Sequence, residues 1–311
     1  MIDLNSVIKE YEASPSFDLL TKSTKSCYRS IHKLLISKFG VSCFFAWDNN
    51  PELFKTEVER IYFELSELGL SNQRRNDMRR HLGVLHSWGV KHLDIAESCS
   101  PVKYMPLLKH EPKEVSPFSK LEMDYIQKHV GMYNHRGQPY FNASQMNVAW
   151  LSIFLFETAM RPAEACNLNI SDIVFDGDDE LIQIIGAKGR EAGKVSRYVY
   201  VTPAVRECIN WARDYRASLG MPDSGSLFVT ATGKKHSLDN TRKVFKDVMK
   251  GLGLENKSMY DLRRGAATAI IHDPRYGITV AQKQLGHKNI STTMLYENLS
   301  KKESAKLFKG Y

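Results

Sequence analysis

Little in this sequence points to an oxidising or membrane environment. Its five cysteines (Cys27, Cys43, Cys99, Cys166 and Cys208) are scattered, odd in number and never spaced as CxxC. That argues against a disulfide framework and a zinc knuckle, and leaves reduced, mostly buried thiols as the expectation. No apolar run approaches the roughly 20 residues needed to cross a bilayer. The N-terminus, MIDLNSVIKEYEASPS, carries acidic residues and no basic flank ahead of an apolar core, so it does not read as a secretory signal. These absences place the protein in the cytoplasm with no membrane partner. Internal repeats and low-complexity tracts are also lacking.

What is present is ordinary globular composition with an excess of positive charge. The 311 residues suffice for two domains, each with a core of its own. The 43 Lys and Arg exceed the 35 Asp and Glu to give a net charge of +8. Such a balance suits a polyanionic partner, because each neutralised phosphate releases counterions. Charge alone does not separate DNA from RNA.

Apolar spacing in residues 16–40 (Tyr28, Ile31, Leu34, Leu35, Phe39) predicts a helix closed by Gly40. A second helix follows from Pro51 to a stop at Gly69, and a third starts at the Ser71 cap. That third helix groups Arg74, Arg75, Arg79 and Arg80, with Met78, Leu82, Leu85 and Trp88 on the opposite side. The arginines are either a solvated face or a phosphate-contacting one. Four prolines and mixed charge in PVKYMPLLKHEPKEVSPF mark a linker, giving a helical domain at 1–105, a linker at 106–117 and a second domain at 118–311. Ser119 with Glu122 predicts a capping box, and the all-round apolar NVAWLSIFLFETAM predicts a buried helix. ELIQIIGAKG and SRYVYVTP are the only convincing strands, read as a basic hairpin. Further helices are expected at 204–219, 238–252, 263–271, 279–285 and 291–299.

Several residues could carry chemistry. Arg161 ends the buried helix, Pro162 suits the first position of the next, and Glu164 could fix the guanidinium by hydrogen bonding. Lys188 sits between small residues on the hairpin, as a phosphate contact, a proton donor or a solvated tip. Arg263 and Arg264 open a helix of small residues, where an anion could meet both guanidinium and helix N-terminus, or where helices simply pack closely. His287 precedes Tyr296 by nine positions. Two arginines and a histidine on one phosphate could neutralise a five-coordinate transition state while a tyrosine hydroxyl displaces an oxygen. Such a phosphoryl-transfer site needs no metal.

In AMRPAEACNL, GAKG, YDLRRGAAT and LGHKNISTTMLY, the sequence resembles the tyrosine recombinase (phage integrase) family over about residues 117–300. The last box is the most specific, with Leu285, Gly286, His287, Thr293 and Tyr296 at family positions. The resemblance implies that Arg161 and Arg263 clamp the scissile phosphate and that His287 donates a further hydrogen bond. Lys188 would protonate the leaving 5′ oxygen, Tyr296 would form a 3′-phosphotyrosyl intermediate, and Glu164 would support. No cofactor is implied, neither ATP nor a metal. One position departs, since the family box that begins with histidine begins here with Tyr260, a poorer proton acceptor that still donates a hydrogen bond.

The implied fold is mainly α with a small antiparallel β-sheet, arranged as a two-domain C-shaped DNA clamp. The implied partners are double-stranded DNA at a specific site and a homotetramer on two sites, with DNA-bending accessory proteins as helpers. The tail LSKKESAKLFKGY, with Leu299, Ala305, Leu307 and Phe308, would dock on a neighbouring subunit or else fray. The chain starts almost directly with the core-binding helices, which implies a compact recombinase without a separate arm-binding domain. Two rivals stay open: a type IB topoisomerase-like strand-relaxing enzyme, and a catalytically silent DNA-binding protein, which Tyr260 favours.

Overall fold

Caps and apolar periodicity set most of the helix boundaries. The computed structural model describes residues 3–39, 51–109, 116–133, 136–185 and 194–296. The chain is mainly helical with one three-stranded antiparallel sheet, and it divides into the units Met1–Lys113 and Glu114–Tyr311. Among the described residues, no helix is long and apolar enough to cross a membrane.

The first unit holds α1 (Leu4–Glu12), α2 (Pro15–Asp18), α3 (Lys22–Phe39), α4 (Pro51–Glu67), α5 (Asn72–His92) and α6 (Pro101–Tyr104). The single helix expected over 16–40 is two. The break falls at Leu19–Thr21, where the Thr21 hydroxyl accepts from the Thr24 N–H and starts α3 afresh; Gly40 lies outside the described residues. Ser71 caps α5 by accepting from the Arg74 N–H at 3.2 Å. Met78, Leu82 and Leu85 of α5 are fully buried with Leu4, Phe17, Ile31, Leu35, Phe54 and Val58. A polar chain crosses this core: Glu12 Oε1 meets His32 Nδ1 at 2.5 Å, and His32 Nε2 meets His81 Nε2 at 2.6 Å. The stretch read as linker begins as part of this unit. Pro101 and Met105 are buried, and the Asn76 side chain bonds both backbone groups of Leu108.

The second unit is built around α8 (Ala143–Thr158), whose Leu151, Phe154 and Leu155 are fully buried. Around it pack α7 (Lys120–Val130), α10 (Pro203–Ser218), α11 (Leu238–Gly251) and α12 (Met259–His272). Ser119 and Glu122 form the expected capping box on α7. Short α9 (Pro162–Asn167) follows α8, and α13 (Gly277–Leu285) follows α12.

The sheet has the order β1-β2-β3, with β1 Ile173–Asp176, β2 Asp179–Ile185 and β3 Val195–Tyr200. Reading only two strands from the sequence missed β1. Two half-buried and two exposed residues carry little burial pattern, yet the Asp176↔Asp179 pairing leaves a two-residue turn with Gly177 at φ +60°, a conformation that favours glycine. Ile182 pairs with Val199 on the core face, and Ile184 pairs there with Arg197.

Candidate active site

The turn after α8 creates the first half of the site. Ala159 adopts the left-handed region at φ +54°, which ends α8 and directs its carbonyl towards α12. Arg161 is then the N-cap of α9, with Pro162 at the first helical position as expected. Glu164 accepts from the Arg161 backbone N–H and from its Nη1, both at 2.8 Å.

A third arginine, which the sequence reading did not single out, completes this carboxylate. Arg197 on β3 donates from Nη1 and Nη2 to the two Glu164 oxygens at 3.2 and 2.7 Å. Its Nε donates to the Gln284 carbonyl at 2.9 Å, and only 7% of its side chain is exposed. A signal for it exists in the sequence: two positions before core-facing Val199, Arg197 is a charge on the inward side of a strand and must find a partner there. Burial acts to raise the Glu164 pKa, but hydrogen bonds and charge from Arg197, then Arg161, outweigh it and hold the carboxyl at about 2.

Arg263 is 3% exposed, so the site's second cation is deep. It donates from Nη1 to the Ala159 carbonyl at 2.6 Å and from Nη2 to the Leu285 carbonyl at 2.7 Å. Burial, then the charges of Arg161 and Arg197, pushes it down to about 10, which leaves it protonated at neutral pH. The expectation that Arg263 opens its helix is corrected. The Ser258–Asp261 capping box starts α12 four residues earlier, so the guanidinium and the helix N-terminus do not coincide.

His287 follows Gly286, which closes α13 at φ +65°. Arg263 Nη2 lies 3.3 Å from His287 Nε2, and the Thr293 hydroxyl lies 2.9 Å from Nδ1. A guanidinium only donates, so the network assigns the lone pair to Nε2 and the proton to Nδ1. Burial, then the charges of Arg263, Arg161 and Arg197, lowers the imidazole to about 4, so it is neutral at pH 7. Tyr296 ends the described helical stretch 290–296. It is half-buried, and its ring stacks on His287 with centroids 6.0 Å apart and planes 16° from parallel.

Arg161, Glu164, Arg197, Tyr260 and His287 line a cleft of about 1320 Å³, and Arg263 and Tyr296 reach it through their contacts with His287. Tyr260, in the first turn of α12, is 44% exposed. The structure therefore brings Arg161, Glu164, Tyr260, Arg263, His287 and Tyr296 into one neighbourhood. Lys188 and the tail 297–311 lie outside the described residues. The α5 arginines belong to the first unit. There Arg79 donates to the Met105 and Val102 carbonyls, Arg75 to the Tyr62 carbonyl, and Arg74 to the Ser30 hydroxyl. Arg80 pairs with Asp77 of its own helix and is 70% exposed.

Known proteins are similar to this chain in sequence and in fold. The chain is 30% identical over 154 residues to tyrosine recombinase XerC of Corynebacterium glutamicum, a match covering 50% of this chain and 47% of that protein. With XerC of Anoxybacillus flavithermus it is 24% identical over 237 residues, covering 73% and 78%. In the first of these relatives the chain thus spans about half of the length. Among solved structures, a λ integrase (75–356) dimer bound to a COC′ core site superposes with a TM-score of 0.70 at 14% identity, covering 95% of both chains. The Tn1549 transposon integrase in complex with transposon right end DNA gives 0.73 at 14% identity, covering 98% and 99%. At such identity these structures establish the fold alone. The phage integrase family model matches residues 133–303, a stretch that takes in every site residue described above, and the chain belongs to that family.

Proposed function

We propose that the chain is a site-specific DNA recombinase that breaks and rejoins strands through Tyr296. The observation that carries this reading is the Tyr296 ring stacked on His287, whose imidazole faces the buried Arg263 cation, with Arg161 on the same cleft. A phosphodiester placed between Arg161 and Arg263 would find two guanidinium groups for its non-bridging oxygens. The added negative charge of the five-coordinate state is stabilised by cations already fixed in place. Tyr296 Oη attacks phosphorus as its proton passes to solvent, the P–O5′ bond breaks, and a 3′-phosphotyrosine forms. Lys188 supplies the proton to the departing 5′ oxygen. Attack by another strand's 5′ hydroxyl reverses the step and releases Tyr296, so bond energy is conserved without ATP.

His287 is neutral without DNA, and a bound phosphate anion raises its proton affinity. The phosphate thereby recruits His287 as a donor. Tyr260, which lines the same cleft, would add a hydrogen bond from its hydroxyl. The unit Met1–Lys113 serves as the core-binding DNA domain, with exposed Arg80 as its most accessible α5 contact. The assembly that acts is a homotetramer on two duplex sites, passing through a Holliday junction. In support, a λ integrase tetramer bound to a Holliday junction shares the fold.

Covalent trapping tests this reading. The full chain is incubated with a nicked, end-labelled duplex library of randomised sequence, beside Tyr296→Phe, and resolved on a denaturing gel. A protein–DNA adduct present with the wild type and absent with the variant is expected. DNA binding without any adduct would overturn it in favour of a silent binder, the reading that Tyr260 favours. Adducts that resolve only to relaxed circles, never to junctions, would indicate a topoisomerase.

A further inference from the structure

We infer that Arg197 is a positioning residue of the recombinase site: it sets the direction of Arg161 through Glu164 and ties that pair to the turn carrying His287. Two segments, α9 and the end of α13, converge on its guanidinium. Its Nη1 and Nη2 fork onto Glu164, whose oxygens also accept from the Arg161 backbone and side chain. Its Nε donates to the carbonyl of Gln284, three residues before His287. The Gln284 amide donates in turn to the Thr158 carbonyl at 3.1 Å, at the start of the turn that leads to Arg161. The ring of contacts therefore runs from β3 to the Arg161 turn, on to the end of α13, and back.

Every nitrogen of the Arg197 guanidinium is committed to a protein acceptor. Its side chain is 7% exposed, against 40% for Arg161, and three of its N–H groups already have acceptors. Close contact with Gly286 fixes it further, since a Cβ at that glycine would stand 2.8 Å from Arg197 Cδ. Only a planar fork with an Nε donor can serve a carboxylate and a separate carbonyl at once. Lysine retains the charge but not this geometry.

The inference rests on the recombinase reading for its kinetic consequence, and its test has one arm that needs no DNA. Arginine side-chain ¹⁵N spectra of the full chain are recorded for wild type and Arg197→Lys, with Arg161→Lys to assign the Arg161 signals. In the wild type the Arg161 Nη protons are expected as separate, slowly exchanging signals; in Arg197→Lys they are expected to merge. In the second arm, single-turnover adduct formation and duplex affinity are measured on a DNA selected in the trapping experiment. Displacing a reacting group by about 1 Å costs on the order of 100-fold, so Arg197→Lys is expected to slow the step about that much. Affinity is expected to hold within about threefold, because the cation deficit is nil. Glu164→Gln combined with Arg197→Lys should be no slower than the slower single variant, since both act along one route.

Unchanged Arg161 signals in folded Arg197→Lys overturn the inference, as do additive rate losses or rate and affinity falling together. If Arg197→Lys does not fold, Arg197→Gln, which keeps Glu164 and its two bonds from Arg161, takes its place, and the same spectral and rate readouts decide. If the wild type forms no adduct on any DNA, the recombinase reading falls and the spectra alone judge the role of Arg197.

Discussion

Replacing Glu164 with glutamine should be the most damaging single-atom change in the second unit. The carboxylate receives four N–H groups, two from Arg161 and two from Arg197, in a pocket where its own side chain is 15% exposed. Glutamine keeps the shape but offers one acceptor oxygen, and its amide nitrogen would face donors. Arg197 would then be a buried cation without a counter-charge, a change that costs about 3–5 kcal/mol. A separate route gives the same size. Lowering a carboxyl from its ordinary 4.5 to about 2 represents on the order of 3 kcal/mol of preference for the ionised form. For a unit of this length that corresponds to a fall of roughly 6–20 °C in the unfolding midpoint.

Urea and thermal unfolding, followed through Trp150 and Trp211, measure this directly in the second unit. The pH dependence supplies the more searching comparison. The Glu164 pKa is lower in the folded than in the unfolded chain, so its stabilisation is complete above the unfolded value and disappears as pH falls towards about 2. The gap between wild type and Glu164→Gln should therefore be constant from pH 8 to 5 and narrow below about 4.5. A gap under about 1 kcal/mol at pH 7, or one that persists undiminished below pH 3, would refute this account of the carboxylate.

Three further outcomes follow from local geometry. Gly265→Ala would place a Cβ 2.1 Å from the Phe118 carbonyl oxygen, where α12 meets the start of the second unit, and should cost about 1–3 kcal/mol in urea unfolding. Gly286→Ala combines a left-handed φ with a clash on Arg197, so it should lower stability by about 1–2 kcal/mol and slow adduct formation more than it weakens DNA binding. In the first unit, burial and then the charge of His32 push His81 down to about 3. The folded form therefore resists a proton that the unfolded chain takes up near pH 6.5, and stability is complete above that value and falls as pH drops towards 3. Unfolding monitored at Trp88 should show this slope, and His81→Leu should flatten it.

The helical framework was legible because its signals are local. Ser71, Ser119 with Glu122, and Pro162 each mark a helix start within a few residues, and each forms the cap or first turn expected of it. The reading failed at β1, where a non-local choice decided, and at α12, where a local cap was passed over. β1 is a strand because β2 pairs with it, and none of its own residues is fully buried. At Arg263 the arginines and small residues attracted attention, yet the polar Ser258–Asp261 pair just upstream fixes where α12 begins.

The same distinction governs the site. Arg161, Arg263, His287 and Tyr296 could be named because each stands in a short string of characteristic residues, and the fold gathers them into one neighbourhood. Arg197 has no such string, since SRYVYV reads as a strand with an incidental charge. Its role comes from the pairing of β2 with β3, which turns it inward opposite Ile184, and from Glu164, which is 33 residues away in sequence. Groups that meet a substrate are constrained in type and can be read from sequence. Groups that hold those residues in place are constrained by position, and a buried charge on the core side of a strand is the one trace they leave. Arg197 left that trace here, and its three hydrogen bonds join the segments that carry Arg161 and His287.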